Sequence, residues 1–219
     1  MILHIETSTQ ICSVALSNQG QLIALEESNS EQYIHGERLT LYIQKVLETA
    51  KITANQLEAI SVTKGPGSYT GLRIGMATVK GLAMGLSLPV FGISSLESII
   101  SLARQKHGPS TFAAAFHARS SEVFLRIQSE NTVWIDDQAV DLEKFQGKLD
   151  HSTVIVGSAG RQLYDYLGGP GCVVDEVIAP SALGHVDLTW TRWLAGKADA
   201  LNELAPNYTK PCFIAEKKS

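Results

Sequence analysis

The sequence predicts an α/β fold built from two tandem βββαβα lobes. Three short strand-like runs near the N-terminus lead into a helix with a clear apolar stripe, and the same order of elements begins again about half a chain later. Of the 219 residues, 44% are hydrophobic and 18% charged, with a mean hydropathy of +0.04, the composition of a chain that can bury a sizeable core.

The strand-like runs cover residues 2–5, 11–16 and 22–25, and the turn-formers Ser17-Asn18-Gln19-Gly20 separate the last two, so a meander closed by a hairpin is expected. Leu39, Tyr42, Ile43, Val46, Leu47 and Ala50 then recur at the three- and four-residue spacing of an amphipathic helix. Thr53-Ala54-Asn55-Gln56 has capping-box spacing and precedes a buried strand at 59–63. A glycine-rich loop, TKGPGSYTGLRIG at 63–75, leads into a helix from about Gly71 to Leu86 and a short strand at 90–93.

In the second half strands begin near Phe112, Glu122 and Thr132, matching Ile2, Ile11 and Gln21 in the first. A helix at 142–149, a buried strand at 153–156, a turn from Gly157 to Gly160 and a helix at 161–167 follow in the same order. The lobes would span 1–106 and 107–219. Two such lobes facing across a cleft describe the actin, Hsp70 and sugar-kinase (ASKHA) architecture, in which nucleotide usually sits between the lobes.

The formal charge is −4, with Lys and Arg scattered, so the chain lacks the basic stripe that gripping a nucleic-acid backbone demands. Cys12, Cys172 and Cys212 lie far apart, which argues against a disulfide framework and a zinc site and favours a reduced, cytoplasmic setting. The N-terminus meets Glu6 too early for a signal peptide, and the apolar stretch at 83–93 is broken by Pro89, so no membrane span is expected. Phosphate-loop, dinucleotide-fingerprint, H-E-x-x-H and G-x-S-x-G patterns are all missing from the sequence.

Two turns remain as candidate phosphate sites. In Glu6-Thr7-Ser8-Thr9-Gln10 only Glu6 is acidic, too few carboxylates for magnesium-assisted phosphoryl transfer, so a Ser/Thr-rich hairpin turn is the better reading. Gly157-Ser158-Ala159-Gly160 opens a helix whose dipole would favour an anion, yet simple turn geometry explains its glycines as well. The helix after the long loop carries Ala77, Gly81 and Gly85 every four residues, a ridge almost without side chains. Each helical glycine costs about 1 kcal/mol relative to alanine. Close packing on the chain's own sheet or on a partner helix would compensate, and both readings stay open.

Ile5-Glu6-Thr7-Ser8, the block Lys64-Gly65-Pro66-Gly67-Ser68-Tyr69-Thr70-Gly71-Leu72-Arg73-Ile74-Gly75, and Ala118-Arg119-Ser120-Ser121-Glu122-Val123-Phe124 resemble the TsaB (YeaZ) family, in order and length from Met1 to about Tyr208. The G-P-G-S-Y-T-G-L-R block is shared in looser form with the larger paralogue TsaD. Where TsaD-like enzymes carry a His-x-x-x-His metal pair, the aligned positions hold Ser95 and Ile99, and Gln10 stands at the position of their early catalytic aspartate. The chain departs from the family's own pattern at His117, often Asp, and at Thr209 and Lys210 near its end.

The resemblance implies a non-catalytic subunit that pairs with TsaD and, with the ATPase TsaE, supports transfer of a threonylcarbamoyl group to N6 of adenosine 37 in tRNAs reading ANN codons. ATP and a metal would belong to the partner subunits and no cofactor to this chain; tRNA would be met through the complex. The heterodimer surface implied comprises Leu39, Tyr42, Ile43 and Val46 of the first helix. The second helix would add Arg73, Met76, Ala77, Lys80, Gly81, Met84 and Gly85, and the same surface would form a homodimer in the partner's absence. The alternatives are a stand-alone ASKHA ATPase or small-molecule kinase acting through the two glycine turns and, from an old label on the family, a glycoprotease-like hydrolase.

Overall fold

The structure, a computed structural model, describes residues 1–29, 35–130, 132–150 and 152–208; Thr209, Lys210 and the polar tail from Cys212 lie outside the described residues. The meander forms as expected: β1 (Ile2–Glu6), β2 (Ile11–Asn18) and β3 (Gln21–Asn29) pair antiparallel. The hairpin reverses at Gln19 and Gly20, both in the left-handed region with φ of 49° and 76°. β4 (Ala59–Gly65) pairs parallel to β1 and β5 (Val90–Ser94) parallel to β4, completing a sheet of order β3-β2-β1-β4-β5. All five residues of β1 are buried, which suits the central strand of a sheet covered on both faces.

The second half builds β6 (Thr111–Arg119), β7 (Glu122–Gln128), β8 (Val133–Asp141), β9 (Thr153–Val156) and β10 (Val173–Asp175). Their order, β10-β9-β6-β7-β8, repeats the first sheet strand for strand. The repeat read from the sequence is therefore a repeat of topology.

On one face of the first sheet lie α1 (His35–Thr49) and α2 (Tyr69–Leu86). Leu39, Tyr42, Ile43 and Val46 of α1 and Met76, Val79 and Ala83 of α2 close a core over Leu3, Ile5, Val14, Leu16, Ile60 and Val62. The capping box at Thr53 forms, with its N–H donating to Gln56 Oε1 at 2.9 Å. In the second lobe α4 (Gly160–Leu167) takes the place of α2, but the helix expected at 142–149 does not form. A turn after β8 gives way to irregular chain, in which Gly147 lies under the Phe145 ring and the Leu149 N–H donates to the Leu167 carbonyl at 2.9 Å. Leu142, Phe145 and Leu149 still plug the sheet, so the apolar spacing reports burial without helix.

Two helices escape the sequence reading. α3 (Ser95–His107), capped by Ser94 Oγ accepting from the Glu97 N–H at 3.1 Å, lies in the first half of the chain yet packs Leu96, Ile99, Ile100 and Ala103 on Phe112, Ala114, Val154 and Val156 of the second sheet. α5 (Val186–Leu194), from the second half, packs Leu188, Trp190 and Trp193 on Ile2, Ala59, Phe91 and Ile93 of the first. Each half thus contributes a helix to the other's sheet.

A buried polar seam ties this crossing together. The 3-10 turn Ala182–His185 brings His185 against Ser61 (Nδ1 to Oγ, 3.2 Å), Thr63 (Nε2 to Oγ1, 3.1 Å) and Glu6 (Nε2 to Oε2, 3.4 Å). Ser61 also meets His4 Nδ1 at 2.8 Å, and His4 Nε2 meets Ser17 Oγ at 2.7 Å. Burial, and then the charge of His185, push His4 well below 6.5, so the folded chain holds it neutral. Burial pushes Glu6 up, but the hydrogen bond and charge of His185, with Thr63 and Ser8, outweigh it and hold the carboxyl below its ordinary value.

Both shifts make acid unfavourable to the fold. Below about pH 6.5 the unfolded chain binds a proton at His4 that the folded chain refuses, so stability falls by up to about 1.4 kcal/mol per pH unit. The Glu6 contribution, present above its unfolded value, is lost at lower pH as the folded carboxyl protonates. Denaturant titrations at pH 7.5, 6.0 and 5.0 are expected to show this slope, and His4→Gln to flatten the portion between pH 6.5 and 5; an unchanged slope in that variant would assign the loss to other groups.

Candidate partner interface and the cleft between the lobes

The loop after β4 is laid against the turn between β1 and β2. The Ser68 N–H donates to the Ser8 carbonyl at 2.6 Å, and a Cβ on Gly67 would sit 2.7 Å from Ser8 Cβ and run into that carbonyl. A Cβ on Gly75 would meet Thr7 Oγ1. Ser68 Oγ accepts from the Gly71 N–H at 3.2 Å and so caps α2, which starts at Tyr69, two residues ahead of the sequence estimate. Gly71 therefore lies inside the helix and is buried. From the other side the Asn207 N–H donates to the Lys64 carbonyl at 2.6 Å, and Ser95 Oγ donates to the Pro66 carbonyl. These four hydrogen bonds tie the loop to its surroundings and so hold α2 in place.

α2 turns Gly71, Leu72, Gly75, Met76, Val79 and Ala83 inward. Tyr69, Arg73, Ala77, Gly81, Met84 and Gly85 are exposed and Lys80 half-buried. Tyr69, Arg73, Ala77, Gly81 and Gly85 follow one four-residue ridge, the type that seats against a second helix. Among the described residues, nothing outside α2's own backbone lies within 4 Å of where a Cβ would stand on Gly81 or Gly85. Packing on the chain's own sheet is thereby removed as the reason for these glycines. Leu39, Tyr42, Ile43, Val46 and Met76, which the resemblance put on the contact surface, are core residues; they support this face from beneath. On α1 the exposed large apolar side chain is Leu41, 52% exposed, a residue the sequence reading passed over.

Between the lobes lies a cleft of about 520 Å³, lined by Ser8, Gln10 and Ser68 on one side and Phe116, His117, Ser158 and Glu176 on the other. A magnesium nucleotide does not fit this donor set. The Glu6 carboxylate is fully buried, accepting from Thr63 Oγ1 at 2.6 Å and the Ser8 N–H at 2.6 Å. Among the described residues Glu176 is the one carboxylate in the lining, and no Lys or Arg accompanies it. At the two positions where the resemblance sets the missing histidine pair, the Ser95 hydroxyl donates to the Pro66 carbonyl and Ile99 is buried in the core. Among the described residues no three His, Cys, Asp or Glu side chains gather to hold a metal, and no helix is long and apolar enough to cross a membrane.

Two sheets of identical strand order beside a cleft give the chain the fold of the actin, Hsp70 and sugar-kinase class. An activator of 2-hydroxyisocaproyl-CoA dehydratase from Clostridium difficile, solved with bound ADPNP, shares that fold at a TM-score of 0.50 and 9% identity, over 90% of this chain and 95% of that one. The family model for TsaD, tRNA N6-adenosine threonylcarbamoyltransferase, matches residues 29–151. The tRNA threonylcarbamoyladenosine biosynthesis protein TsaB of Escherichia coli strain K12 is 32% identical over 221 aligned residues, 95% of this chain and 94% of that one. YeaZ from Pseudomonas aeruginosa superposes with a TM-score of 0.83 at 26% identity, covering 94% of this chain and 98% of that one. The chain belongs to the TsaB family.

Proposed function

We propose that this chain is a non-catalytic subunit that pairs with a TsaD homologue through the open face of α2. With a TsaE homologue as ATPase, it supports threonylcarbamoyl transfer to N6 of adenosine 37 in tRNAs reading ANN codons. One observation carries the reading: among the described residues the Ala77-Gly81-Gly85 ridge is exposed and its two glycines meet nothing, so their helix-weakening cost finds its use in a partner contact. The cleft supports the same division of labour, because its described lining holds one carboxylate and no Lys or Arg, a poor set for metal-assisted phosphoryl transfer. The chemistry, the metal and the ATP then belong to the partners, tRNA is met through the complex, and the work is cytoplasmic. Without its partner the same face would pair two copies of the chain.

Reconstitution tests this. The isolated chain is expected neither to hydrolyse Mg-ATP nor to modify tRNA, and its addition to the host's TsaD and TsaE homologues to raise threonylcarbamoyladenosine in tRNA. Tight Mg-ATP binding with turnover by the isolated chain would favour a stand-alone ATPase or kinase instead.

A further inference from the structure

At the N-terminal end of the α2 ridge an arginine is held in an uncommon way. The Arg73 guanidinium carbon lies 3.9 Å from the centroid of the Tyr69 ring, and its Nε donates to Tyr208 Oη at 3.0 Å. The two tyrosine rings lie 5.1 Å apart, tilted by 33°. All three side chains reach the surface, with Tyr69 42% and Tyr208 39% exposed. The spacing of Tyr69 and Arg73 on one helix makes their stacking local, whereas Tyr208 arrives through the segment that Asn207 ties to Lys64.

This clasp fixes a side chain that otherwise samples many rotamers, and it leaves the Nη groups without a carboxylate among the described residues. An arginine ordered in advance loses less freedom when it meets a planar anion, and its fork suits a carboxylate through two parallel hydrogen bonds. The charge of the helix points the same way. In a chain of net charge −4, α2 carries Arg73 and Lys80 and no acid along its 18 residues, and its N-terminal dipole adds to the positive field beside Arg73. Aromatic residues and arginine next to a closely packing surface are also the side chains that dominate binding energy at protein interfaces.

We propose that Arg73, splinted by Tyr69 and Tyr208, is the anchor that sets partner specificity on the α2 face. The partner helix seated on Ala77, Gly81 and Gly85 presents an Asp or Glu carboxylate to it beside the first turns of α2. This rests on the reading that a TsaD homologue docks on that face.

Calorimetric titration of the host's TsaD homologue into the wild-type chain, R73Q, R73K, Y208F and G81L, each at low and moderate salt, tests it. R73Q is expected to weaken binding by about tenfold or more and to lose most of the salt dependence. R73K should recover part of the loss, since an ammonium neither stacks nor forks as a guanidinium does, and Y208F should fall between wild type and R73Q. Wild type that binds and G81L that does not, with R73Q within twofold of wild type and equally salt-sensitive, would overturn the anchor while leaving the docking face standing. A wild-type chain that binds no TsaD homologue would overturn both.

Discussion

Gly81→Leu is expected to weaken binding of the TsaD homologue by about 100-fold or more while the chain itself stays folded and becomes slightly more stable. Among the described residues a Cβ at this exposed position meets nothing within 4 Å, so the better helix propensity of leucine is expected to add roughly 0.8 kcal/mol. Across a helix contact the same four carbons would have to fit where two backbones approach closely, and overpacking costs about 1–3 kcal/mol, occasionally more. Gly81→Ala separates the effects: it should raise stability by about 1 kcal/mol with a smaller loss of affinity. Thermal melts of the isolated chain alongside partner titrations read both quantities. A lowered melting temperature in Gly81→Leu would mean that the ridge is needed for the chain's own packing.

Gly67→Ala should do the reverse and damage the fold first. Its Cβ would press on Ser8 Cβ and on the Ser8 carbonyl, which accepts from the Ser68 N–H at 2.6 Å; backbone stands on both sides and cannot rotate away. About 3 kcal/mol of stability is at risk, a large part of the margin of an ordinary domain. Because the same loop aims α2, loss of partner affinity should accompany it. Gly75→Ala is the milder control, since the group it meets is the hydroxyl of Thr7, which can turn about its own χ1. Denaturant midpoints at an unchanged m-value would separate the two; equal costs would show that the Ser8 backbone yields.

Much of the fold was legible because its signals are local. The meander, the strand at 59–63 and the capping box at Thr53 rest on residues a few positions apart, and the repeat could be read by laying one half over the other. The helix expected at 142–149 misled because Leu142, Phe145 and Leu149 are spaced like a helix stripe, yet Gly147 and the Leu149 pairing to Leu167 hold the segment irregular. α3 carries the same three- and four-residue spacing at Leu96, Ile99, Ile100 and Ala103, but it follows β5 without a break, with Ser94 ending the strand and capping the helix. That α3 and α5 cross to each other's sheet could not be read from spacing at all, because it depends on contacts about a hundred residues apart, such as Arg192 with Glu97 at 2.6 Å.

The candidate site divides in the same way. The small-residue ridge on α2 stands out in the sequence, but which way it faces depends on where the sheet lies. The apolar stripe of α1 reads identically whether it meets a partner or the chain's own core, and the structure assigns it to the core. Tyr208 could not be linked to Arg73 in advance, since 135 residues separate them.

The most direct test of the central claim is hydrogen–deuterium exchange of the chain with and without the host's TsaD homologue. Assembly through the open face of α2 predicts new protection concentrated in residues 69–86, with the cleft-lining segments around Ser158 and Glu176 unchanged. Protection confined to those cleft segments, with residues 69–86 exchanging as in the free chain, would contradict it.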